Sequence, residues 1–116
     1  MTLQEFYNAI GGDYEGVMSR LMKEERVVKY VRKFLNDASF ETLNAKIAEG
    51  DYEEAFRASH TIKGVASNLG FSRLLDSSHK LTEELRGGNA PTDMNDLERV
   101  RADYTQTIEA IKALDA

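Results

Sequence analysis

The stretch Asp51-Tyr52-Glu53-Glu54-Ala55-Phe56-Arg57-Ala58-Ser59-His60-Thr61-Ile62-Lys63-Gly64-Val65-Ala66-Ser67-Asn68-Leu69-Gly70 decides how this chain folds. At about 100° per residue, its apolar residues Ala55, Ala58, Ile62, Val65, Ala66 and Leu69 gather on one side of a helix, with Ser59 at the edge of that side. His60 points the other way. Around it, within roughly 60° on the wheel, fall Glu53, Phe56, Arg57, Lys63, Gly64, Ser67 and Phe71. Asp51 is a helix-capping residue and Gly70 suits the left-handed position that ends a helix. The segment therefore predicts a long amphipathic helix that buries one face and presents an imidazole on the other.

The neighbours of His60 give that imidazole a chemistry. An exposed imidazole is in part unprotonated, and so nucleophilic, near neutral pH. Lys63 lies three residues on, a surface neighbour in a helix, and its ammonium offers charge stabilisation to an incoming phosphoryl group. Gly64, four residues on, is unfavourable inside a helix by about 1 kcal/mol relative to alanine. A missing side chain there opens an approach to the ring.

Turn signals outside this helix divide the rest of the chain into further helices. Thr2 to Ile10 predicts a short helix stopped by Gly11-Gly12, and Asp13 caps a second reaching Met22; residues 1–23 are read as peripheral. Glu24 to Leu35 carries a broad apolar face of Val27, Val28, Tyr30, Val31, Phe34 and Leu35, broken at Asn36-Asp37-Ala38-Ser39 and resumed by Phe40, Leu43 and Ile47 as far as Gly50. Ser72 opens the next helix, with Leu74, Ser78, Leu81 and Leu85 at three- and four-residue spacing. Arg86-Gly87-Gly88-Asn89-Ala90-Pro91 ends it. Thr92 or Asp93 starts the last, whose seam is Leu97, Val100, Tyr104, Ile108, Ile111 and Leu114. Long amphipathic helices with short loops predict an all-α, antiparallel up-down-up-down four-helix bundle over residues 24–115, with short additional helices before it, as one domain spanning 1–116.

Composition excludes several other functions. The 116 residues carry a net charge of −5, which disfavours nucleic-acid binding because that requires a basic stripe. No cysteine is present, so thiolate metal sites and disulfides are excluded. The first residues lack the basic and apolar regions of a signal peptide, and no apolar run approaches a membrane span; a cytoplasmic monomer is the expectation. No Gly-rich nucleotide loop and no acidic metal cluster is apparent, so the chain is expected to use no cofactor of its own. His79, the second histidine, has Thr82 and Glu83 as its following neighbours and lacks both a flanking cation and an access gap. Asp76-x-x-His79 is half of a carboxylate-bridged metal motif without its other half.

The residues Ser59-His60-Thr61-Ile62-Lys63-Gly64-Val65-Ala66-Ser67-Asn68-Leu69-Gly70 resemble the signature of histidine-containing phosphotransfer (HPt) domains: a small residue, His, any residue, Leu or Ile, Lys, Gly, small residues, then Leu-Gly. The likeness extends upstream through Glu49 to Arg57 and downstream through the region of Leu74, Leu81 and Leu85. Phe71 departs from it where alanine is frequent, as do Ser77 and Ser78 where more apolar residues are common. The resemblance implies a phosphorelay carrier, not an autonomous kinase: His60 accepts a phosphoryl group from a receiver-domain aspartate and passes it to another receiver, which brings the Mg²⁺. On this reading Lys63 stabilises phosphate charge, Gly64 gives access, and Phe56, Arg57, Ser67, Asn68 and Phe71 belong to the docking surface. Two rival readings are a helical module that docks a signalling partner without carrying phosphate, and an enzyme using His60 as a base or ligand. The second would need a polar partner group on another helix.

Overall fold

The computed structural model describes residues 1–114, so the end of the expected 24–115 segment lies outside the described residues. Among these, seven α-helices account for the fold: α1 (Leu3–Ala9), α2 (Tyr14–Leu21), α3 (Glu24–Lys33), α4 (Ser39–Glu49), α5 (Tyr52–Leu69), α6 (Ser72–Leu85) and α7 (Asn95–Lys112). Single-turn 3₁₀ segments at Phe34–Asn36 and Arg86–Gly88 follow α3 and α6. No strand occurs among the described residues.

The boundaries follow from capping chemistry. Asp13 accepts from the Gly16 amide at 3.0 Å and Asp51 from the Glu54 amide at 3.3 Å, each satisfying an amide that the first helical turn leaves unpaired. Gly50 and Gly70 end α4 and α5 with φ of 75° and 71°, the left-handed conformation that a side chain disfavours. The last helix begins at Asn95, two to three residues later than expected. The Asp93 carboxylate instead accepts the Asn95 amide at 2.8 Å, and the Thr92 hydroxyl donates to Glu84 at 3.1 Å, so both side chains go to the loop.

Each long helix packs against the next: α4 on α5, α5 on α6, α6 on α7. On α5, Ala55, Ala58, Ile62, Ala66 and Leu69 are buried. Small side chains line its boundary with α6, where Ser59, Ser78 and Thr82 are also buried. Their hydroxyls are all satisfied: Ser59 and Thr82 hydrogen-bond each other at 2.7 Å, Thr82 donates to the Ser78 carbonyl at 2.6 Å, and Ser78 to the Leu75 carbonyl at 3.2 Å. Ser59, placed at the edge of the apolar side by the wheel, thus lies inside the interface.

Two expectations need correction. Residues 1–23 are not peripheral in their packing. Leu3, Phe6, Tyr7, Ile10 and Val17 are buried in the common core, because α1 and α2 pack against α7 and α3 and over the last turn of α5 and Phe71. The Tyr7 hydroxyl donates to the Leu69 carbonyl at 2.6 Å, and Arg20 donates to the carbonyls of Ser67 and Asn68 at 3.2 and 2.8 Å, so the N-terminal helices supply donors to the last turn of α5. The broad apolar face expected over Glu24–Leu35 is also narrower. Val27, Val31 and Phe34 are buried, whereas Tyr30 and Leu35 remain 40% exposed.

Candidate functional site

His60 is exposed, in the middle of the 18-residue helix α5. The α5 side chains on either side of it turn toward different neighbours. Toward α6 lie Phe56, half-buried with its ring centroid 5.9 Å from that of His60, and Lys63, partly buried. On the other flank, Arg57 pairs with Glu54 at 3.2 Å, and Thr61 donates back to the Arg57 carbonyl at 3.0 Å. Gly64 is exposed, and a Cβ built on it meets nothing within 4 Å. Nothing within this chain therefore requires glycine at position 64.

The remaining docking candidates separate. Ser67 and Asn68 are exposed on the same helix, with their carbonyls held by Arg20. Asn68 also lines a shallow groove with Tyr30, Lys33, Val65 and Leu69. Phe71 does not join them. It is 1% exposed, packed among Phe6, Tyr7 and Phe34 with ring centroids 5.6–6.3 Å apart. The wheel misplaced it by continuing the 100° step through Gly70, whose left-handed φ turns the chain and sends the next side chain inward. Phe71 is thus a core residue and no part of an exposed surface.

Two residues on the Phe56 flank escape a reading of α5 alone. Arg86, in the turn after α6, sits with its guanidinium carbon 5.3 Å from the Phe56 ring centroid. Glu83 accepts from the Arg86 Nε at 2.8 Å and from a terminal nitrogen at 3.0 Å, a two-point pairing. That pairing holds the Glu83 carboxyl below the usual carboxylate range, and the charges of His79 and Lys63 pull the same way. Arg86 returns over α5 because Gly87 and Gly88 adopt φ of 79° and 80° and bring the turn back to Glu53, whose Cγ lies 3.8 Å from a Cβ built on Gly88. The i,i+3 spacing of Glu83 and Arg86 was readable from the sequence; the return of the loop onto Phe56 was not.

His79 is exposed on α6, and Asp76 pairs with Lys80 at 3.4 Å. No group of three or more His, Asp or Glu side chains is placed to hold a metal among the described residues. No helix there is long and apolar enough to cross a membrane.

The arrangement defines a class: a helix-borne, exposed imidazole flanked by a lysine and by an open glycine position. A family model described as "Hpt domain" matches residues 29–113, and the chain belongs to that family. Its members serve in phosphorelay histidine phosphotransfer, as carriers that work with receiver domains and not as kinases. No curated protein and no solved structure matched the chain.

Proposed function

We propose that this chain is a histidine phosphotransfer protein that accepts a phosphoryl group from a receiver-domain aspartate onto His60 and delivers it to the aspartate of a second receiver. The bundle that carries it is read as antiparallel and up-down-up-down, with the broken pair α3 and α4 as its first limb and α5, α6 and α7 as the others. One observation carries the reading. His60 is exposed at mid-helix, beside a glycine whose open position serves nothing inside the chain.

In the transfer, a ring nitrogen of His60 attacks the phosphorus of the acyl phosphate. The imidazole–phosphorus bond forms as the bond to the aspartate oxygen breaks, and the carboxylate leaves with the electron pair. The second transfer reverses these roles. Phosphoryl transfer depends chiefly on alignment and on charge around the equatorial oxygens. Here α5 aligns the nucleophile, and Lys63 supplies positive charge from within the chain. By analogy with the family, Mg²⁺ comes with the receiver. Phe56, Gly64, Ser67 and Asn68 form the approach surface, with Arg57 at its edge. We read the protein, further, as a cytoplasmic monomer that exchanges partners.

The test is transfer of radiolabel from phosphorylated receivers of the same cell. Label that is acid-labile and base-stable is expected on the parent and on His79→Gln, and none on His60→Gln. Label on the His60 variant, or none on the parent with any receiver, would refute the assignment.

A further inference from the structure

We propose that Arg86 is a second phosphate-recognising cation of the His60 site, stored on the Phe56 ring and held by Glu83 until the imidazole carries a phosphoryl group. This inference rests on the reading of His60 as phosphoacceptor and adds a residue from a different element.

Two successive ring contacts connect Arg86 to His60 through Phe56. Its guanidinium lies over Phe56 at 5.3 Å, and Phe56 in turn lies 5.9 Å from the imidazole, so the cation is one ring away from the nucleophile. Its partner Glu83 feels the charge of Lys63, which lies with Phe56 on the flank of His60 that faces α6. The Arg86 and Glu83 side chains are about half exposed, at 55% and 45%, so neither is locked by packing. An exposed i,i+3 ion pair contributes little stability and is readily exchanged.

The charge balance gives the exchange its direction. On the unmodified protein Glu83 is the anion within reach of Arg86, and the guanidinium fork satisfies it at two points. A phosphoryl group on His60 introduces up to two negative charges and three acceptor oxygens, a better match for the same fork. The charged groups around that phosphoryl would be Lys63, Arg57 and Glu53 from α5, His79 and Glu83 from α6, and Arg86 from the turn. Of these, Lys63 is fixed to the helix that bears the histidine, and Arg57 is engaged by Glu54 on the far flank. Arg86 reaches the site from another element, on a long side chain already resting on Phe56. Glu83 would then be left to Lys63 and His79.

Phosphoramidate provides a receiver-free way to load the site: its phosphorus–nitrogen bond breaks and ammonia leaves as the imidazole–phosphorus bond forms. The ³¹P resonance of the loaded protein, followed against pH at low salt, reports the last ionisation of the phosphoryl group. A nearby cation favours the dianion and lowers that midpoint. Arg86→Ala is expected to raise the midpoint by roughly 0.3 pH unit, the size of one unit charge acting across several ångströms of water. Arg86→Lys should recover most of the shift, which a merely structural role would not do. Glu83→Gln should lower the midpoint by more in the parent than in the Arg86→Ala background, because only in the parent does it release the guanidinium. An unchanged midpoint in Arg86→Ala, or equal effects of Glu83→Gln in both backgrounds, overturns the inference while leaving His60 as phosphoacceptor. Failure of phosphoramidate to label the parent, with label also absent from receivers, removes His60 from the role and this inference with it.

Discussion

At the scale of single residues, Gly64 sets stability against function. A glycine inside a helix is disfavoured by about 1 kcal/mol relative to alanine, mostly through backbone entropy. Because a Cβ at this position meets nothing within 4 Å, Gly64→Ala recovers that difference without steric penalty in the isolated chain. The variant is therefore expected to unfold at higher urea concentration, with a gain approaching 1 kcal/mol, and yet to exchange phosphoryl groups with receivers more slowly. Paired urea melts and transfer rates test both halves. A stabilised variant with unchanged transfer would show that the open position serves no partner. His60, Lys63 and Gly64 were legible as a candidate site because they share a helix, where the 100° step relates them directly. Phe71 was not, since the step fails once Gly70 leaves the helical region.

At the scale of elements, the junction of α6 and α7 holds an acidic pair that the sequence hides. Glu84 places one carboxylate oxygen out of contact with solvent and without a hydrogen-bond partner, while the other accepts from Thr92 at 3.1 Å. Burial, followed by the neighbouring carboxylate of Asp96, holds the Glu84 carboxyl above its usual range; a proton shared between the two groups would supply the missing donor. A carboxyl whose folded value is raised binds its proton more tightly in the native state. Its favourable contribution is present below the ordinary glutamate range and is lost as pH rises through the raised value. Glu84→Gln, neutral at every pH and able to donate to Asp96, is expected to melt a degree or two higher than the parent at pH 7. Near pH 4 the two should converge, where the parent carboxyl is protonated as well. Thermal melts between pH 4 and 8 check this, and a constant difference across that range would refute the shared-proton account. Local signals such as Asp51, Gly50 and Gly70 were legible because capping acts within one turn. The Glu84–Asp96 pair and the return of Arg86 over Phe56 join residues across a loop, and no periodicity encodes how a loop folds back.

At the scale of the whole molecule, the family match and the folding unit have different limits. The match begins at residue 29, whereas the core begins at Leu3. The first two helices bury Leu3, Phe6, Tyr7, Ile10 and Val17, and burial of each large apolar side chain is worth about 1.5–3 kcal/mol. They also cover Phe71 and bring Tyr7 and Arg20 to the last carbonyls of the helix that bears His60. Against a net stability of about 5–15 kcal/mol for a typical domain, losing them removes much of what holds the chain folded. A fragment of residues 29–113 is accordingly expected to show a broad, low-temperature transition by circular dichroism and to expose Phe71 to quenchers and apolar dyes. The full chain should unfold in one cooperative step. Tyr7→Phe separates the two contributions, since it keeps the ring packing and removes only the donor to Leu69; about 1 kcal/mol of loss is expected from it. Should the fragment melt as sharply and at the same temperature as the full chain, the N-terminal helices would be an addition to a self-sufficient bundle, and the end of α5 would need no donors from outside it.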